Sequence, residues 1–213
     1  GNLYLESNVT LHLDGGSLTA DTLNATVGEI RWDGGELHLG GGTSHIPTGI
    51  SVPDFGTLEG TGNITGNVSG AAQSTISVGN GLLSLGALTS FQGFNHQGTL
   101  EVGTGFLQAF SAGYAQLGSI ATMDAGGYLI APNGVAFGNG DDFQGAGDIT
   151  GAVAQAFGSE IKATGALAMG ESTWVNGFFG GGTLDANDQA VTLRDANDVV
   201  FDSGALVDLG SSG

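Results

Sequence analysis

Residues 58–68 read LEGTGNITGNV and residues 143–153 read FQGAGDITGAV, the same glycine-laced phrase at a separation of 85. The match continues beyond the opening. GLLSLGALTSFQGFNHQGTLEVG (81–103) aligns without a gap to GALAMGESTWVNGFFGGGTLDAN (165–187), at a separation of 84. A period this long points to a repeat architecture.

The 84-residue period subdivides. "Gly, polar residue, Leu" recurs as GSLTAD, GELHLG, GTLEGT, GTLEVG and GTLDAN, with leucines at 18, 37, 58, 100 and 184. Their gaps of 19, 21, 42 and 84 are one, one, two and four units of about 21. Leu83, Ile120, Phe143, Ile161 and Leu206 are the expected occupants of the missing units, so about ten coils use up the chain.

Within each unit the pieces are short and β-like. TLEV, TISV, LLSL, YLIA and VTL alternate or form brief apolar runs, with Gly, Asn-Gly and Asp-Asn between them. No helical period persists beyond ten residues. The best helix candidate, AVAQAF (152–157), aligns with NVSGAA (67–72), which disfavours helix. Strands recurring every turn can stack in parallel about 4.8 Å apart and place like side chains above like. The expected fold is all-β: a parallel β-solenoid, one domain over residues 1–213, duplicated internally as 58–103 and 143–187. Ten coils would make a rod roughly 50 Å long.

The expected interior is Leu18, Leu37, Leu39, Leu58, Ile64, Val68, Ile76, Val78, Leu83, Leu85, Leu100, Val102, Ile149, Val153, Ile161, Leu167, Met169, Leu184, Val191 and Leu193. Corners need positive φ, cheapest at Gly and then Asn. Asn80-Gly81, Asn133-Gly134, Asn139-Gly140 and Asn176-Gly177 stand at expected corners.

Composition narrows the partners. The 213 residues hold 42 Gly, no Cys and three basic residues against 21 acidic ones, a formal charge of −18. Collagen is excluded by the absence of a Gly-X-Y period. Three scattered cations (Arg31, Lys162 and Arg194) cannot neutralise a phosphate backbone, so no nucleic-acid partner is expected. No apolar run reaches the roughly 18 residues of a spanning helix, so no membrane insertion is expected. The start at Gly1, without a methionine or signal peptide, suggests a processed product or a fragment.

GTLEVGTG, GTLEGTGNITGNV and GELHLGGG resemble the glycine-rich repeats of bacterial surface β-helices, foremost the autotransporter-associated β-strand repeats of passenger domains and adhesins. APNGVAFG (131–138) is similar to a phrase of haemagglutinin-type secreted β-helices, with Ala131 where that family has Asn. The resemblance implies an exported, extracellular or cell-surface protein and no particular activity.

Catalytic signatures are sparse. GTGNITG, GAGDITG and GNGDDFQG miss the dinucleotide-binding and P-loop patterns, and no G-x-S-x-G occurs. His12 and His38 sit in alternating LHL segments and are expected to face outward; His38 with His45 is a candidate zinc pair. Asp141 with Asp142, and Glu101 with Asp124, are candidate glycosidase carboxylates. For calcium, the oxygens of Asp141, Asp142, Asp185, Asp188, Asp195 and Asp198 cluster at turns as GDD and two DAND tetrads. Asx turns, which need no ion, are the alternative for the same six residues. Four sequons mark Asn8, Asn24, Asn63 and Asn67 as candidate glycosylation sites. The aromatics Trp32, Trp174, Phe178, Phe179, Tyr114 and Tyr128 could form a sugar-stacking stripe or fill the core.

With no capping helix in view, the first expectation is a non-enzymatic structural protein whose solenoids stack head to tail as a homopolymer in a filament, sheath or matrix. The alternative is a glycan-binding segment of a longer adhesin. A polysaccharide-degrading β-helix enzyme ranks third.

Overall fold

The computed structural model describes residues 1–7, 9–26, 28–173 and 177–210. It is a parallel β-solenoid of about ten turns, and the described residues contain no helix. Coils of the solenoid contribute strands to three faces. The first two belong to one 15-stranded sheet that bends at a corner; the third forms an eight-stranded sheet from Ile50–Val52 onward, while residues 10–13 and 29–32 before it remain part of the larger sheet. Every described strand pair is parallel, because each strand meets the equivalent strand one turn later.

The first face carries the defining ladder. Successive register partners run Leu18, Leu37, Leu58, Ile76, Leu100, Ala121, Phe143, Ile161, Leu184 and Val207. Three of the five slots filled from sequence are therefore corrected. Ile120 and Leu206 lie one residue off the ladder, and strand alternation turns them outward, 49% and 57% exposed. Ala121 and Val207 take their places. Leu83 sits beyond the corner, on the second face, so Ile76 holds that slot.

Coil length carries the duplication. Leu58 to Ile76 is 18 residues and Ile76 to Leu100 is 24; Phe143 to Ile161 is again 18 and Ile161 to Leu184 is 23. Each copy thus opens with a short coil followed by a long one. The extra residues lie in corners, where added chain costs little.

The second-face ladder runs Leu83–Leu107–Leu129–Ile149–Met169–Leu193. The third face contributes Val68–Phe94 and Ala115–Val135–Val153–Phe178. These side chains meet in one continuous core. The expected interior is buried except at the ends. Leu18, Val191 and Leu193 are only partly covered, because each lies in a terminal coil with a neighbour on one side.

Glycine is required at the bend between the first two faces. Gly60 (φ 120°) and Gly62 (φ 127°) flank a register shift, and a Cβ on Gly60 would run into the Leu39 carbonyl of the coil beside it. Gly134 and Gly140 have the positive φ expected of Asn-Gly corners, whereas Gly81 does not. Gly81 lies within the strand Thr75–Gly86, where a side chain would strike Thr61. Asn176 lies outside the described residues.

Candidate functional site

The six aspartates taken as calcium candidates lie at separate places on the solenoid. Asp141 accepts a hydrogen bond from the Gly138 amide at 2.6 Å, closing a turn. Asp142 lies on the outer row of the first face, in register with Ile120 and Glu160. Asp185 accepts from the Asn187 amide at 2.8 Å and pairs with Lys162 Nζ at 3.2 Å. Asp195 accepts from the Asn197 and Phe178 amides, at 2.9 and 3.2 Å. Those backbone donors, the Asn197 amide foremost, hold its pKa below the ordinary carboxylate value. Asp188 adopts φ 60° at a corner, and Asp198 is exposed. Asp141, Asp185 and Asp195 thus serve as turn-closing side chains. Among the described residues, no group of three His, Asp or Glu side chains is placed to hold a metal ion.

The histidines separate by environment. His12 faces outward and contacts Asp33 at 2.7 Å; His45 contacts the Thr65 hydroxyl at 2.7 Å. His38 lies between two carboxylates, Glu59 of the next coil at 2.5 Å from Nδ1 and Glu36 at 3.1 Å from Nε2. Partial burial pulls its pKa down, but these two hydrogen bonds and the paired charges outweigh it, and the net shift is upward. An acceptor on each ring nitrogen is an arrangement that stabilises the imidazolium. His96 is 1% exposed, inside the third face. Its Nε2 donates to the Thr99 carbonyl at 2.8 Å while Nδ1 has no partner, and burial depresses its pKa.

Each of the three cations is engaged by a carboxylate. Arg31 contacts Asp33, and Lys162 contacts Asp185. Arg194 reaches over an intervening coil to chelate Asp148, with Nη1 at 3.1 Å and Nη2 at 2.5 Å, and also donates to the Ile149 carbonyl at 2.8 Å. Ala168 and Gly170 occupy the coil it crosses, and their small size leaves room for the guanidinium.

Of the carboxylate pairs, Glu101 and Asp124 share a shallow depression of about 240 Å³ with Ser77 and Thr122. Asp141 and Asp142 are adjacent in sequence, but Asp141 closes a turn while Asp142 begins a strand.

Among the sequons, Asn67 lies exposed at a bend before Val68–Gly70. Asn24 is engaged by its own Thr26, at 2.6 Å from the hydroxyl. Asn63 sits inside the strand Thr57–Thr65, and Asn8 lies outside the described residues.

The aromatics divide between core filling and the exposed surface. Trp32 and Phe178 are core residues, at 7% and 0% exposure, and Trp174 lies outside the described residues. Tyr128 is exposed and stacks on Phe106, ring centroids 4.9 Å apart and planes 9° apart. Phe106 was not singled out from sequence, because its pairing with Tyr128 depends on a 22-residue register that only the stacked coils reveal.

Beside this stack, on the outer side of the second face, runs a groove of about 600 Å³ lined by Thr43, Thr61, Asn63, Asn80, Ser84 and Gln108. A second groove, of about 560 Å³, opens where, among the described residues, the third-face strand Ile50–Val52 has a strand partner only on the side of Val68–Gly70. No protein-family model, curated protein or solved structure matches the chain.

Proposed function

We propose that the protein is a non-catalytic structural element of an extracellular surface or matrix assembly, in which solenoids stack end to end. The observation that carries this reading is the state of the two end coils. Among the described residues, Thr10–Ala20 pairs with Glu29–His45 on one side only, and Leu206–Asp208 pairs with Thr183–Asp185 on one side only. Backbone donors and acceptors at both edges therefore suit the addition of another parallel strand.

Side chains reinforce the edges. At the C-terminal end Val200, Phe201, Leu206, Val207 and Leu209 are between 37% and 59% exposed. At the N-terminal end Leu3, Leu11, Leu13 and Leu18 are only partly covered. A head-to-tail contact between such ends is heterologous and does not close, so it generates a filament. Outward carboxylates such as Glu36, Glu59, Glu101, Asp142 and Glu160 give the sides like charge. They oppose side-by-side aggregation while the ends remain adhesive. The resemblance to surface β-helix repeats supports an extracellular setting for the assembly.

Electron microscopy and sedimentation velocity over a wide concentration range test the reading. Unbranched rods whose length grows with concentration are expected, and Val207→Lys should abolish them. Monomers at every concentration would overturn the end-to-end arrangement.

A further inference from the structure

We propose that the groove on the outer side of the second face, together with the apolar row beside it, is a binding site for an uncharged polysaccharide chain. The argument begins with the groove lining. It spans the coils of Leu37, Leu58, Ile76 and Leu100, three steps of about 4.8 Å, giving a track about 14 Å long parallel to the solenoid axis. Gly41, Gly42, Gly62 and Gly81 lack side chains that could fill it, and no charged residue lines it.

The polar groups are neutral hydroxyls and amides. Gln108 Oε1 accepts from the Ser84 hydroxyl at 2.7 Å, and Asn80 accepts from Thr104 at 2.7 Å. The Gln108 amide nitrogen and the side-chain amide of Asn63 have no partner among the described residues, so donors and an acceptor face the groove.

Alongside lies the apolar row. Leu82, Phe106 and Tyr128 are register partners on three consecutive coils, each at least 40% exposed. A strip of exposed apolar surface beside neutral donors and acceptors matches a ligand with C–H faces and hydroxyl edges, which describes a sugar chain. An acidic polysaccharide is disfavoured: no cation lines the groove, and Arg194, the basic residue on this face, is held by Asp148.

The internal duplication supplies an independent argument. Asn63, Leu82 and Ser84 of the first copy become Asp148, Ala166 and Ala168 in the second, and Phe106 and Gln108, just past the first copy, become Ala190 and Thr192 just past the second. The interior partners Ile64, Leu83 and Phe94 remain Ile149, Leu167 and Phe178. The groove and its apolar row thus lie in and around the first copy and have no counterpart around the second, and the core needs neither.

Affinity electrophoresis through gels containing a mixed-linkage β-glucan, dextran or galactomannan, with alginate and polygalacturonate as anionic counterparts, tests the site. Retardation by at least one neutral polymer and by neither anionic one is expected. Phe106→Ala, and Asn63→Ala with Gln108→Ala, should weaken that binding at least tenfold. Phe157→Ala, which removes an exposed ring from a different corner, should leave it unchanged. Thermal unfolding of each variant checks that the coils remain intact. No retardation by any neutral polymer, stronger retardation by the anionic ones, or equal loss on Phe157→Ala would overturn the site. The readout is independent of end-to-end stacking, since a monomer carries the whole groove.

Discussion

The two copies of the duplication keep one interior and wear two surfaces. Leu58, Ile64, Val68, Ile76 and Phe94 of the first copy correspond to Phe143, Ile149, Val153, Ile161 and Phe178 of the second, all buried. Outside, the first copy and the residues just after it present Leu82, Phe106 and neutral amides, while the second copy and the residues just after it present alanines and the Asp148–Arg194 pair. A ladder side chain is bounded by the coils on either side, so a change of volume is felt in three coils at once. An outward side chain meets mostly solvent and is free to diverge.

One interior difference is compensated. In the third-face ladder the first copy places Gly70 beside buried His96, and the second places buried Gln155 beside Gly180. A Cβ on Gly70 would collide with the His96 ring. Gln155 uses the space differently, donating to the Thr183 carbonyl at 2.7 Å. Each copy therefore buries one long polar side chain and removes a neighbouring one to make room.

The largest effects should come from breaking what the copies share. Phe143→Ala, at 1% exposure, should cost about 3–5 kcal/mol, and Leu58→Ala about 2–5 kcal/mol, by chemical denaturation. If the coils are as tightly coupled as their ladders imply, the two losses will be similar despite the difference in residue. Gly70→Gln should cost about 1–3 kcal/mol by overpacking. Combined with His96→Gly, which transplants the second copy's arrangement, much of that loss should return, and a double-mutant cycle measures the coupling.

Arg194→Ala tests the ion pair that ties Asp148 of the second copy to the residues after that copy. It removes the link from one coil to the next but one and leaves Asp148 without its partner, and should cost about 1–3 kcal/mol. Arg194→Lys cannot reproduce the fork and should recover only part.

The histidines sharpen the comparison through pH. His96 has a depressed folded-state pKa, so its contribution is present above the unfolded value of about 6.5 and is lost as pH falls below it. His38 has a raised one, so its contribution is complete below about 6.5 and is lost as pH rises through the folded value. Melting temperatures across this range should lose their acid limb in His96→Gln and their alkaline limb in His38→Gln. The smallest effect should be Asn67→Gln at an exposed bend, within about 0.5 kcal/mol.

Much of the architecture was legible because a solenoid writes its contacts into a period. Residues about 21 apart touch, so the recurrence of Gly-x-Leu was itself a contact list, and the parallel stack follows from it; that a coil has three faces emerged only from the structure. Where the recurrence blurred, so did the reading. Ile120 and Leu206 look better than Ala121 and Val207 as core residues, yet a single-residue offset turns them to solvent. Hydrophobicity cannot fix a register that alternation decides.

The surface was far less readable. Asp185 and Asp195 look like ligands until their oxygens are found on the amides of Asn187 and Asn197. Phe106 looks like one more apolar residue until Tyr128 arrives above it. The sequence by itself determined the winding, the duplication and most of the interior, because these depend on which residue types recur at one spacing. The tertiary structure alone decided which outward side chains become neighbours across coils. Corner lengths that vary from turn to turn set that alignment, and no local pattern encodes their sum.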